Sequence, residues 1–206
     1  MLTASEYHMR ERLPLSAVQE SILDFCRGRK DTVVFGAQAV NLHTEAPRMT
    51  QDVDLLSDRP GELAEALKAY LHERLGIAVR SRSLGGGRAF RIYQVRAQGN
   101  RHLADVRRAI LPLEEAIERD GIRYASVEVL VAMKVIALTR RRFAPKGGTD
   151  LADVRRLLLA RPELRTETGP VSVALQRLGA SKEAFDLWRD LLAEPIVSDE
   201  ETDEDY

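Results

Sequence analysis

The chain has 206 residues, 44% hydrophobic and 31% charged, the composition of a water-soluble globular protein with enough chain for a proper core. No apolar run approaches the ~20 residues of a membrane-spanning helix, the opening MLTASEYHMRERLP has no apolar signal-peptide core, and the single cysteine, Cys26, excludes an intrachain disulfide, so a cytoplasmic protein with no membrane partner is expected. The net charge of −1 hides an asymmetry: setting aside the seven acids of residues 194–206 turns it into +6, a mildly basic body suited to an anionic substrate.

In chain order, residues 13–26 have helical spacing, with Leu15, Val18, Ile22 and Phe25 on one face; Cys26 ends that run and reads as a packed small hydrophobe. Asp31-Thr32-Val33-Val34-Phe35 reads as a short buried strand broken by Gly36, with a helix over 37–43. A second strand covers Val53 to Leu55. Pro60-Gly61 opens a helix over 62–75, with Leu63, Leu67 and Leu71 in register. Strands are expected at 77–82, 89–95 and 102–106, with Ser83-Leu84-Gly85-Gly86-Gly87 as a hairpin loop between the first two. Residues 122–125 predict a short edge strand. Ser126 is placed to cap a long apolar helix from Val127 to about Arg142, Lys146-Gly147-Gly148 a loop, and Thr149 or Asp150 the start of a helix through Leu159. Residues 171–178 and 182–192 are helical in pattern. Residues 194–206 (Glu194, Asp199, Glu200, Glu201, Asp203, Glu204, Asp205, no Lys or Arg) read as a disordered acidic tail. Mixed strands in the first two-thirds and helices at the end give an α+β protein, divided as an α/β core at 1–125, a helical part at 126–193 and the tail.

The chemistry concentrates in Thr50-Gln51-Asp52-Val53-Asp54. Two carboxylates at i and i+2 on a strand share a face, and a cation between them offsets their repulsion. A divalent ion with oxygen ligands, Mg²⁺ or Mn²⁺, fits, and such ions often join protein carboxylates to substrate phosphates. The turn at Gly36 lets backbone approach a phosphate closely. Asp105, in the strand His102-Leu103-Ala104-Asp105-Val106, is either a third converging carboxylate or a surface residue beside Arg107 or Arg108. Three such acids could hold two metal ions.

Lys134 stands alone in the apolar run Val127–Leu138, where it must reach water or meet an anion; phosphate is the anion expected. Asp150 and Asp153 are placed for helix capping and dipole compensation or for a functional role. Arg140, Arg141 and Arg142 form either a solvated helix end or a contact to nucleic-acid phosphate. Arg80, Arg82, Arg88, Arg91 and Arg96 are a second basic group around the glycine loop, with Arg80 and Arg82 on one strand face. His43 and His102 lack metal-ligand spacing with each other, and neither is assigned a ligand role.

Gly36-Ala37, then Thr50-x-Asp52-x-Asp54, then Asp105, resemble the nucleotidyltransferase superfamily of polymerase-beta type. Lys134-x5-Arg140 followed by Lys146-x3-Asp150-x2-Asp153 is similar to the AbiEii/MenT-type members, many of them toxins of toxin–antitoxin pairs. The resemblance spans about residues 30–160. It implies a small mixed sheet bearing the acids, backed by helices, with a helical C-terminal part. It also implies Mg²⁺ on Asp52 and Asp54, and Asp105 as a further metal ligand or as base for the acceptor hydroxyl. Gly36, Ala37 and Thr50 would line the nucleotide, Lys134 would contact phosphate, and Asp150 or Asp153 would be a late catalytic-site acid. Two departures stand out: the turn is Gly-Ala where Gly-Gly or Gly-Ser is usual, and Gly147-Gly148-Thr149 separates Lys146 from Asp150.

The implied activity is transfer of a nucleoside monophosphate from an NTP to RNA, especially the 3′ end of tRNA, with an antitoxin protein as a possible partner. The alternatives are a protein or aminoglycoside-like acceptor, and an inactive nucleotide- or RNA-binding regulatory module.

Overall fold

The computed structural model describes residues 13–45 and 47–197; most of the expected acidic tail, 198–206, lies outside the described residues. These form two compact units, one of residues 13–38 and 48–125 and the other of 39–45, 47 and 126–197.

The first unit is built on a seven-stranded mixed sheet, an α+β arrangement. Its strands are β1 (Val33–Phe35), β2 (Val53–Ser57), β3 (Val79–Leu84), β4 (Ala89–Gln94), β5 (Arg101–Arg108), β6 (Ile117–Arg119) and β7 (Ile122–Tyr124), in the order β3-β4-β5-β2-β1-β7-β6. β2 runs parallel to β5 and antiparallel to β1, and β1 runs parallel to β7. The central strands β1 and β2 are almost wholly buried, which explains their unbroken Val, Leu and Phe content. Helix α1 (Leu15–Cys26) buries Val18, Ile22, Phe25 and Cys26. Residues 122–125 were expected at an edge; instead β7 lies inside the sheet, because the exposed strand β6 folds back on it through a turn with Asp120 and Gly121 at positive φ.

After β1 the chain turns into helix α2 (Gly36–His43), along which it passes from the first unit to the second. Helix α3 (Pro60–Leu75) starts with Pro at its first position and ends at Gly76 in the left-handed conformation, the favoured punctuation at each end. It buries Leu63, Leu67 and Leu71. It packs on one face of β3–β5: Ser81 Oγ donates to Glu65 of α3 at 2.7 Å, and Gly61 abuts the Phe90 ring, leaving room for no more than a tight methyl group. Ser81 and Phe90 point to that face, so by alternation Arg80, Arg82 and Arg91 point to the other.

The second unit is helical: α4 (Val127–Arg141), α5 (Pro145–Ala160), α6 (Pro170–Arg177) and α7 (Lys182–Ala193). Helix α4 packs against all three of the others. Ser126 occupies the cap position of α4, but its hydroxyl bonds the Glu128 carboxylate at 2.6 Å and caps no backbone N–H. The segment Lys146-Gly147-Gly148 is not the expected loop but the first turn of α5. Gly147 packs against the last turn of α4, where a β-carbon would lie 2.9 Å from the Arg141 carbonyl carbon and from the Arg142 oxygen. Gly147 reflects close packing rather than flexibility, whereas a β-carbon on Gly148 would meet open space; with both glycines inside the helix, Asp150 and Asp153 fall past the first turn, on the buried side of α5.

Candidate active site

The acids converge because of strand register. Asp54 in β2 lies beside Asp105 in β5, and Asp105 lies beside Arg91 in β4, which lies beside Arg82 in β3. Residues in lateral register share a face, so this row runs across the face opposite α3. Phe35 of β1 continues it on the other side of Asp54.

Gly36 lets this row close. Its φ is +66°, and a β-carbon there would lie 2.8 Å from Cγ and 2.9 Å from Cβ of Asp54. Both the backbone conformation and the approach of the Asp54 side chain therefore call for glycine. Asp52 lies in the bend just before β2. Thr50 shapes that bend by donating its hydroxyl to the Asp52 carbonyl oxygen at 3.0 Å, and Gln19 from α1 donates to the Thr50 carbonyl at 2.9 Å. Ala37 is buried in the first turn of α2.

His102 is the residue that sequence reasoning missed. Strict alternation places positions 102 and 105 on opposite faces. The β4–β5 ladder breaks that alternation: Ile92 faces Ala104 but Tyr93 faces His102, so Leu103 is skipped as a β-bulge. The extra residue turns the His102 ring onto the acid face. There Nδ1 lies 3.1 Å from Asp52 Oδ2 and Nε2 lies 3.0 Å from Asp105 Oδ1, and the ring packs against Tyr93 with centroids 5.7 Å apart. Asp52, His102 and Asp105 each offer a donor atom within 4.8 Å of the other two, a donor set that fits a divalent ion. Asp54 stands in the next sheet position but is not part of that group. No short sequence motif announces the bulge.

Arginines counter these charges. Arg91 grips Asp105 with two hydrogen bonds, Nε to Oδ1 at 2.8 Å and Nη2 to Oδ2 at 3.0 Å. Arg107 Nη2 is 3.3 Å from Asp105 and 3.6 Å from Asp54, with its guanidinium 5.5 Å from the Phe35 ring centroid. Burial alone would raise the Asp105 pKa, but the hydrogen bonds and charges of His102 and Arg91 win and hold it well below the usual carboxylate range. Burial likewise pulls the His102 pKa down, and the hydrogen bond to Asp105 with the charges of Asp105 and Asp52 outweighs it, leaving the net shift upward. The Arg91 guanidinium is held charged above its usual value, chiefly by its bonds to Asp105.

In the second unit, Lys134 is buried and meets both late acids at once, with its ammonium 3.2 Å from Asp150 and 2.6 Å from Asp153. Arg141 Nε donates to Asp150 Oδ2 at 2.7 Å, so the arginine triplet divides: Arg141 turns inward while Arg140 and Arg142 are exposed. The two acids that sequence reasoning left as alternatives thus share one lysine. Phe143, fully exposed at 99%, follows the triplet.

No family model matches the chain, and no curated protein does. Among solved structures, the Megavirus polyadenylate synthase superposes with a TM-score of 0.57 at 16% identity, over 77% of this chain and 34% of that one; this chain spans about a third of the length of that synthase. An antigenic nucleotidyltransferase-like protein from Paracoccidioides brasiliensis matches at 20% identity over 96% of this chain and 97% of its own, with a TM-score of 0.47. The antibiotic-resistance factor ANT(2'')-Ia matches at 20% identity over 79% and 88%, with a TM-score of 0.46. At 16% identity the likeness to the synthase is one of fold alone: the chain has a nucleotidyltransferase-like α+β fold.

Proposed function

We propose that this chain is a metal-dependent nucleotidyltransferase that moves a nucleoside monophosphate from an NTP to a hydroxyl of RNA, at the 3′ end of tRNA, and serves as the toxin of a toxin–antitoxin pair. The observation that carries the enzymatic part is the lateral register of Asp54 with Asp105 on adjacent parallel strands, closed by Asp52. The RNA acceptor and the toxin role rest on the resemblance to AbiEii/MenT-type proteins. Exposed Arg80 and Arg82 on the acid face, and Arg140 and Arg142 in the helical unit, supply cations for RNA phosphates.

In this reading Asp52, Asp54 and Asp105 hold Mg²⁺ or Mn²⁺, which when bound screens the triphosphate and favours ionisation of the attacking hydroxyl. The acceptor oxygen forms a bond to the α-phosphorus. The bond from that phosphorus to its bridging oxygen breaks, pyrophosphate leaves with the electron pair, and the hydroxyl proton passes to solvent. Asp105 is a poor base at neutral pH, because its pKa is held well below the usual carboxylate range by His102 and Arg91; it supplies charge. Backbone N–H groups of Gly36 and Ala37, at the start of α2, face phosphate oxygens. Thr50 holds the bend that presents Asp52. Lys134 directs two of its three N–H donors at Asp150 and Asp153.

The test is NTP turnover with RNA by the wild type and by Asp52→Ala and Asp54→Ala. Loss of turnover in both folded variants is expected; retained turnover in either would remove the metal assignment. Label entering a protein or small molecule but never RNA would overturn the acceptor.

A further inference from the structure

We propose that His102 is itself a metal ligand, so that this site selects first-row transition ions such as Mn²⁺ and Co²⁺ over Mg²⁺. The inference rests on the metal-dependent reading above and adds a nitrogen donor to a site that the acid motif alone describes as all-oxygen.

Three independent observations converge on the ring. First, the backbone is built to deliver it: skipping Leu103 in the β4–β5 ladder is what brings His102 to the acid face, and bulges next to functional sites re-aim side chains in this way. Second, both nitrogens are placed for ligation. Nδ1 faces Asp52 and Nε2 faces Asp105, at 3.1 and 3.0 Å. An ion taken by Nδ1 beside Asp52 leaves Nε2–H donating to Asp105, the carboxylate–imidazole–metal arrangement that fixes a ligating histidine's tautomer and orientation. Third, the anchoring carboxylate is itself anchored: Asp105 is buried and accepts two hydrogen bonds from Arg91, while Tyr93 packs against the imidazole.

The chemical consequence follows from donor type. Magnesium takes oxygen ligands almost exclusively, whereas imidazole suits transition ions, whose affinities rise along the first row. Imidazole added to the carboxylate oxygens of this site therefore gains affinity for Mn²⁺ and Co²⁺ and gains nothing for Mg²⁺.

The experiment measures ion binding without nucleotide, using the electron paramagnetic resonance signal of free Mn²⁺, directly and in competition with Mg²⁺ or Co²⁺. It is applied to the whole chain as wild type, His102→Gln, His102→Asp and Asp52→Asn, each checked for folding by circular dichroism. His102→Gln is expected to weaken Mn²⁺ and Co²⁺ by about 10-fold or more, the scale of losses at metal-supporting positions, with Mg²⁺ within about 3-fold. His102→Asp, an all-oxygen site, is expected to narrow the Mn²⁺/Mg²⁺ ratio, and its result decides the matter alone if His102→Gln does not fold. Unchanged or tighter Mn²⁺ binding in His102→Gln, with Asp52→Asn still abolishing it, would show His102 to be a charge-balancing partner displaced by the ion, and would overturn this inference while leaving the acid site standing. Absence of any ion binding to the wild type that is sensitive to Asp52→Asn would overturn this inference and the metal-dependent reading together.

Discussion

Replacing Gly36 with alanine probes the junction on which the acid row depends. The backbone at this position has φ of +66°, which costs a residue with a β-carbon roughly 1–2 kcal/mol. The added methyl would also overlap the Asp54 side chain, at 2.8 Å from Cγ and 2.9 Å from Cβ. Asp54 must then leave its rotamer, at about 0.5–1.5 kcal/mol. Together the change should destabilise the fold by about 1.5–3.5 kcal/mol, a melting-temperature drop of roughly 3–14 °C for a chain of this size. Circular-dichroism melts of wild type and Gly36→Ala measure it, and Mn²⁺ binding with NTP turnover measured well below the melt reports the displaced Asp54. The expected result is a folded variant, less stable and at least about 10-fold less active. A variant that melts within about 1 °C of wild type with undiminished turnover would refute the reasoning, since neither the turn nor the approach of Asp54 would then need glycine.

Lys134→Met leaves Asp150 and Asp153 without their shared ammonium in a buried setting, and removal of one partner from such a cluster destabilises by about 3–5 kcal/mol; a melting temperature equal to wild type would show that the cluster is not what ties α4 to α5. Gly147→Ala should separate the same two helices, because its β-carbon would press on the Arg141 and Arg142 carbonyl groups; proteolysis should become faster at that junction, and an unaltered cleavage rate counts against it. The Cys26 thiol is pushed up to about 12, chiefly by burial, from the 9.0 of an accessible thiol. Only the unfolded chain then ionises it between those values, so its contribution to stability is complete below about pH 9 and is lost as pH rises toward 12. Melting temperatures of wild type relative to Cys26→Ala should fall over that window, and parallel curves would show that the thiol is not shielded.

What the sequence made legible was the part governed by short-range rules. The apolar run Val33–Phe35, the break at Gly36 and the alternation around Asp54 follow from strand period and glycine's freedom; that β2 lies beside β5, which sets Asp54 beside Asp105, is a long-range pairing that those rules leave open. The rest depended on long-range pairing. β7 reads as an edge strand until β6 is found folded onto it. Lys146-Gly147-Gly148 reads as a loop because a glycine needed for helix–helix contact, as Gly147 is, has the same letter as one needed for flexibility. His102 was invisible because a bulge reverses the alternation by which a strand is read. Arg91 could be assigned to a basic group around the glycine loop, but only register shows that it faces Asp105.

The central claim is metal-dependent nucleotidyl transfer by the acid row. Its most direct test is incubation of the purified protein with total RNA, Mg²⁺ or Mn²⁺ and each labelled NTP in turn, beside Asp52→Ala. Label entering RNA with wild type and lost with Asp52→Ala is the expected result, and it names the nucleotide. NTP consumption that survives both Asp52→Ala and removal of divalent ions would contradict the account.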